Sequence, residues 1–213
     1  MARPTTTAIR RSEIVDATIR VMARRGWNET SIDEITKEAR VSRGLVSYHF
    51  RDKNELLSGV LQRCREMFLR DVQAAVEAQE PPEERMRCAT RASLLLARTN
   101  PMPYEVFLHF STSGRTDARL AEEIRSLYRT YRQEAANAIR ECQRAGVYRD
   151  DIDADAAAAK HLGTIIGISL QWLIDPGSFD LEAASEQALE MLMDSLEQRG
   201  RAGSQAVPGR GKK

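Results

Sequence analysis

Three helix starts crowd into residues 31–55, and they constrain this chain more than any other feature. Ser31 and Glu34 form S-x-x-E, a capping box in which the serine oxygen accepts a backbone N–H and the glutamate reaches back. Ser42 can cap a second stretch, and Asp52 with Glu55 repeats the signal as D-x-x-E. Starts so closely spaced leave room for a helix over 32–39, another over 43–50, and a long one from Asp52 to about 77. Two short helices joined by a turn at Arg40 and Val41 make a helix-turn-helix. Upstream, Ile14, Ala17, Thr18, Val21 and Met22 share one face of a helix over 10–25, and Gly26 stops it.

The remainder also reads as helix. Proline and glycine fall between periodic segments and rarely within them, with no useful alternating strand pattern and no internal repeat. EPPEE at 80–84 starts a helix carrying Met86, Ala89, Leu94 and Ala97. Pro101 and Pro103 are expected to break the chain before a short aromatic helix, YEVFLHF at 104–110. Apolar residues three and four apart, from Leu120 to Cys142, give a long helix over 117–144. After the corner GVYRDDID come helices at about 153–174 and 180–198.

The expected architecture is all-α, with about nine helices. Residues 1–52 form a three-helix, helix-turn-helix DNA-binding domain with a basic N-terminal arm. Residues 53–198 form a helical ligand-binding and dimerisation domain. The tail 199–213, RGRAGSQAVPGRGKK, is Gly-rich, basic and almost without apolar residues, and reads as disordered.

A net charge of +1 hides an uneven distribution. Residues 1–55 hold 11 Lys/Arg and 8 Asp/Glu, residues 56–198 hold 16 and 23, and residues 199–213 hold 5 and none. Basic ends around an acidic middle suggest a nucleic-acid contact at one end. Cys64, Cys88 and Cys142 lie far apart with no CxxC pair, which reads as buried, reduced thiols in a cytoplasmic protein. The polar N-terminus has no apolar stretch of the secretion-signal type. The longest uncharged run, HLGTIIGISLQWLI at 161–174, is 14 residues, too short to span a bilayer.

The second short helix, with its flanks VSRGLVSYHF (41–50), is not built only to pack. Leu45, Val46 and Phe50 can turn inward, leaving Arg43, Ser47, Tyr48 and His49 outward. Gly44 lets the backbone approach another surface closely. The helix N-terminus favours phosphate. Arg43 can reach base edges, where its fork matches guanine O6 and N7. Tyr48, His49 and Lys53 offer donors to phosphate oxygens, which fix register without reading sequence.

Taken together, IVDAT, RRGWNETSIDEI and ARVSRGLVSYHFRDKNELL resemble the TetR family of bacterial one-component transcriptional regulators over about residues 10–57. Val41, Ser42, Gly44, Tyr48, Phe50, Lys53, Leu56 and Leu57 match the family pattern, and GLVSYHF is closest to the BetI-like branch. The resemblance implies that Ser42, Arg43, Ser47, Tyr48, His49 and Lys53 face double-stranded DNA, with Thr30 and Ser31 touching its backbone. Arg3, Arg10 and Arg11 make an arm that either reaches DNA or stays a solvated terminus.

Two positions depart from the pattern. Arg40 stands where the turn usually has glycine, so either the turn is built differently or strain is accepted for an extra phosphate contact. Thr36 replaces an alanine at a tight spot between the two short helices.

A single short helix reads few bases, so a homodimer on a palindromic operator is expected. The last two helices are the expected interface. The first carries Gly163 and Gly167 and is apolar almost all round, with Leu162, Ile166 and Leu170; the second adds Leu189, Leu192, Met193 and Leu196. Two helices from each chain fit an isologous four-helix contact.

The middle helices are then expected to hold a small-molecule effector. Met67, Met86, Tyr104 and Phe107 are candidates, as are His109, Phe110, Tyr128, Tyr131 and Trp172, although residues at such spacing also build plain cores. BetI-like relatives suggest a cationic ligand in an aromatic cage, with Glu105 as counter-charge. His49, His109 and His161 do not cluster with metal-ligand spacing, and no GxGxxG, P-loop or G-x-S-x-G occurs. Neither catalysis nor a cofactor is expected. The expected role is a ligand-responsive transcriptional regulator, a repressor released from DNA by its effector.

Overall fold

The computed structural model describes residues 6–27, 29–113 and 118–197, and for 108–113 and 118–120 it describes the backbone alone. The tail at 199–213 and Arg3 lie outside the described residues. Nine helices and no strands are found among the described residues. They are α1 (Thr6–Arg25), α2 (Ile32–Ala39), α3 (Arg43–His49), α4 (Lys53–Val76), α5 (Pro82–Thr99), α6 (Pro101–Ser113), α7 (Ala118–Arg144), α8 (Ala154–Ile174) and α9 (Leu181–Leu196).

Local chemistry sets most of these boundaries. Gly26 ends α1 at φ 77°, where its N–H reaches the Met22 carbonyl at 2.7 Å. Ser31 and Glu34 close both halves of their capping box at the start of α2. Ser42 Oγ accepts from Leu45 N at 3.2 Å, and Asp52 accepts from Glu55 N at 2.8 Å. Asp153 and Asp180 cap α8 and α9 in the same way. The break that the sequence suggested is there, since α5 ends at Thr99, but Pro101 and Pro103 belong to the next helix and do not precede it. They open α6, because a proline in the first helical turn withholds an N–H that has no intrahelical partner.

Three groups of buried side chains hold the helices. In the first, Ile14, Val15, Ile19 and Met22 of α1 meet Ile35, Val46 and Phe50 around the first half of α4, and Val106 of α6 and Ile124 of α7 join them. Gly59 lets α4 come close to α1: a Cβ there stands 3.2 Å from Val15 Cγ2 and 3.5 Å from Phe50. In the second, α5, α7, α8 and α9 surround Leu94, Ile139, Tyr148 and Leu189. A smaller group joins Leu96, Ala97 and Tyr104 to Phe68, Trp172 and Leu173. Helix α4 therefore packs at one end on α1–α3 and at the other on the helices beyond.

Candidate functional site

The face of α3 that points away from α1 carries Ser42, Arg43, Gly44, Ser47 and Tyr48, all exposed, with His49 half-buried beside them. Tyr48 is 76% exposed, and its ring meets the His49 ring edge-on at 5.1 Å. A large aromatic group left this bare on a helix whose other side is buried is available to a partner. A Cβ at Gly44 meets only Ser42 Oγ, at 3.9 Å, so the protein interior does not require glycine there. Arg43 Nη1 lies 3.2 Å from Asp33 Oδ1 of α2. Asp33 is not among the residues expected from sequence, since it meets Arg43 only once the turn brings α2 and α3 together.

Arg40 ends α2 in the left-handed region at φ 54° and ψ 44°. Its N–H reaches Lys37 O at 3.3 Å, and the Val41 N–H reaches Thr36 O at 3.0 Å. This is the glycine-type helix stop built with arginine, so the turn keeps its usual shape and accepts the strain. Thr36 is accommodated by turning its hydroxyl back to Asp33 O at 2.8 Å.

Three expected DNA contacts change. Thr30 is only 3% exposed and its hydroxyl donates to Gly26 O at 2.7 Å, so the side chain serves the turn after α1 instead of a surface. Ser31 is exposed but already committed to the capping box. The Lys53 ammonium bonds Trp27 O at 3.2 Å and lies 4.3 Å over the Trp27 ring, and burial pushes its pKa down. Lys53 is thus anchored, with two of its three donors left for an outside acceptor. Arg10 and Arg11, expected in a basic arm, lie inside α1, where Arg10 pairs with Glu13 and Arg11 stacks on Phe50 at 4.7 Å.

A narrow cavity of about 60 Å³ lies among the middle helices. Helix α4 supplies Leu61, Cys64, Arg65 and Phe68, and α6 supplies Pro103, Tyr104, Val106 and Phe107. Leu127 and Tyr131 of α7 and Leu162, Ile165 and Ile166 of α8 complete it. Of the sequence candidates, Tyr104, Phe107 and Tyr131 line it. Tyr128 stacks on Phe107 at 5.2 Å, and Trp172 packs in the group around Tyr104. Met86 is sealed in the α5–α7–α8–α9 core, while Met67 and Glu105 are half-buried outside the lining. His109 and Phe110 lie outside the described side chains. No carboxylate lines the cavity, while Phe68, Tyr104, Phe107 and Tyr131 bring aromatic rings to it. The missed α4 residues, at 61, 64, 65 and 68, follow helical spacing and were legible in principle.

The structure also redistributes the expected dimer residues. Leu189, Leu192, Met193 and Leu196 are buried within one chain, where α9 closes over α5 and α8, and they offer nothing to a second copy. Leu162 and Ile166 turn to the cavity. Gly163, Gly167 and Leu170 stay at least partly exposed, and a Cβ on either glycine meets no atom within 4 Å. Close by, Lys160 Nζ of α8 reaches Ser195 Oγ of α9 at 3.3 Å. The two helices also expose Ile174 (75%) and Met191 (60%). Among the described residues, no group of three His, Cys, Asp or Glu side chains could hold a metal, and no helix is long and apolar enough to cross a membrane.

Comparison with known proteins matches both halves. Residues 14–60 fit a family model described as bacterial regulatory proteins, tetR family, and residues 82–197, more than half of the chain, fit one described as BetI-type transcriptional repressor, C-terminal. The regulator BetI of Rhizobium meliloti is 29% identical over 165 residues, covering 76% of this chain and 79% of that protein. A transcriptional regulator of Saccharomonospora viridis, solved with choline, superposes with TM-score 0.78 at 23% identity over 89% of this chain and 98% of its own. AibR, solved with isovaleryl coenzyme A and operator DNA, superposes with TM-score 0.69 at 22% identity over 86% and 98%.

Proposed function

The chain belongs to the TetR family of DNA-binding transcriptional regulators, with a BetI-type C-terminal part, and from that premise we propose how its parts divide the work. Helices α1–α3 (residues up to 52) hold the operator, and residues 53–198 hold the effector and the second subunit. Arg43 reads base edges; Ser42, Gly44, Ser47, Tyr48, His49, Lys53 and Arg40 seat the phosphate backbone. The dimer forms on the exposed face of α8 and α9 around Gly163, Gly167, Leu170 and Met191. The protein acts in the cytoplasm, does no chemistry of its own, and represses by occupying its operator.

One observation carries the release mechanism: α4 belongs to both ends. Its Lys53 is tied to Trp27 beside the DNA-binding helices, and Leu61, Cys64, Arg65 and Phe68 form a cavity wall two turns on. Leu61, Cys64 and Val106 belong at once to that wall and to the core that supports α1 and α3. A cavity of about 60 Å³ is far below the ~300–1,000 Å³ of sites that hold drug-sized ligands. An effector must therefore push its walls apart, and α4 and α6 carry that displacement into the DNA-binding helices. Two recognition helices that sat about 34–36 Å apart then no longer match successive major grooves. The neighbours solved with choline and with isovaleryl coenzyme A support a small-molecule effector.

Selection of bound sequences from a random DNA pool, with wild type and Arg43→Ala in parallel, tests the reading. Wild type is expected to enrich a palindrome, and Arg43→Ala to blur particular bases in each half-site. Failure of wild type to enrich any sequence at low salt overturns it, as does an effector that binds tightly yet leaves operator affinity unchanged.

A further inference from the structure

Arg65 sits in an otherwise apolar wall. It is the one charged side chain among the residues lining the cavity, and no carboxylate faces it from within. Its Nη2 reaches Glu134 Oε1 at 3.2 Å on the outer side, where both side chains are partly exposed. Its Nε is shut off from solvent and has no acceptor. A guanidinium keeps its charge at any ordinary pH, so this donor cannot be silenced by losing a proton.

The other polar groups of the wall do not compensate. The Tyr104 hydroxyl is already spent on Ser93 O at 3.0 Å. Burial pushes the Cys64 thiol up to about 12, which keeps it neutral. Burial likewise raises Tyr131, and the nearby Arg65 charge partly offsets that rise, so a neutral phenol stands beside the guanidinium.

On the reading that this cavity is the effector site, we infer that its ligand is a slender, largely apolar molecule ending in an anionic oxygen group, a carboxylate in the simplest case. The anionic oxygen accepts from Arg65 Nε and satisfies a donor that the empty protein leaves unpaired. The apolar body lies between Leu61, Phe68, Leu162 and Ile166, where little else is polar. A cation meets the Arg65 guanidinium, whose carboxylate partner Glu134 lies on the outer side and not in the lining. A neutral molecule fills the space but leaves Nε as it was.

Three probes of equal chain length separate these cases: octanoate, octanol and octyltrimethylammonium, titrated into the full-length protein by calorimetry. Octanoate is expected to bind about tenfold or more tighter than octanol, the range of a charge-assisted hydrogen bond, with octyltrimethylammonium weakest. Arg65→Met keeps the apolar stem. It is expected to bring octanoate down to the level of octanol while octanol itself is unchanged. Its thermal melting and operator binding report that it is folded, and the three-probe comparison on wild type stands without it.

Octyltrimethylammonium binding as tightly as octanoate overturns the inference, and so does an Arg65→Met protein that keeps its octanoate affinity. If no probe binds a protein that still holds its operator, the ligand class falls and the regulator reading stands. If octanoate binds through Arg65 but operator affinity does not change, the release mechanism falls and the ligand class stands.

Discussion

Arg43 of α3 reaches back across the turn to Asp33 of α2, with Nη1 3.2 Å from Oδ1 and the side chains 71% and 67% exposed. A pair this open to water contributes at most about 1 kcal/mol, so it orients the arginine without locking it. DNA must replace the carboxylate as the arginine's partner. Asp33→Asn is therefore expected to leave the melting temperature nearly unchanged and to raise operator affinity about three- to tenfold, since one opposing charge is gone and Arg43 is already free. Fluorescence anisotropy with labelled operator measures this. A fall in affinity means instead that Asp33 holds Arg43 in its reading position.

Arg40 separates stability from binding in one residue. Its left-handed backbone is the one positive φ outside glycine among the described residues, at 54°. Arg40→Gly removes a penalty of roughly 1–2 kcal/mol, partly offset by the added freedom of glycine in the unfolded chain. The net expectation is a rise of about 2–4 °C in melting temperature. If the exposed guanidinium touches phosphate, the same variant binds operator more weakly and its log–log salt slope falls by about one unit. An unchanged slope means the arginine is tolerated in the turn and serves no contact.

Gly163 faces open space in the single chain, with no atom within 4 Å of a Cβ placed there. A mid-helix glycine destabilises α8 by about 1 kcal/mol relative to alanine, so Gly163→Ala should raise the stability of the isolated subunit. Gly163→Leu keeps that gain in helix propensity but stands between α8 and a closely packed copy. The expected result by sedimentation is a folded monomer, with operator affinity lost because two half-sites are no longer held together. A variant that stays dimeric moves the interface off this face.

These comparisons show where sequence is legible. Helix starts are local: Ser31 with Glu34 and Asp52 with Glu55 satisfy backbone groups three residues away, so their geometry is written in adjacent letters. Which way a side chain turns on a helix packed on several sides is not local. Leu162 and Gly163 are neighbours, yet one lines the cavity and the other faces outward. Leu189 and Met193 look in sequence like Met191, but α9 buries the first two against α5 and α8 and exposes the third. Thr30 and Ser31 read as one polar step into α2, and only the turn after Gly26 decides that the threonine hydroxyl points inward. The cavity needed four helices, α4, α6, α7 and α8, to meet before any of its walls could be told from core.

His161 gives the fold an acid sensitivity with a definite sign. It is buried on α8, its Nε2 lies 3.4 Å from Thr90 Oγ1, and its Nδ1 has no partner. Burial holds its pKa down to about 4, against 6.5 for the free side chain. Above 6.5 both folded and unfolded chains carry it neutral, and it adds no pH dependence. Between 6.5 and about 4 the unfolded chain takes up a proton that the folded chain refuses, so stability falls as pH falls. Below about 4 both states are protonated and this contribution levels off. The full loss is on the order of 3 kcal/mol. Carboxylates titrate over part of the same range, and a variant isolates the histidine. Melting curves of wild type and His161→Gln, taken from neutral pH down to about 4, are expected to converge or cross as acid removes the wild-type advantage. Curves that stay parallel show that the buried imidazole is protonated in the native state, with an acceptor or water at Nδ1.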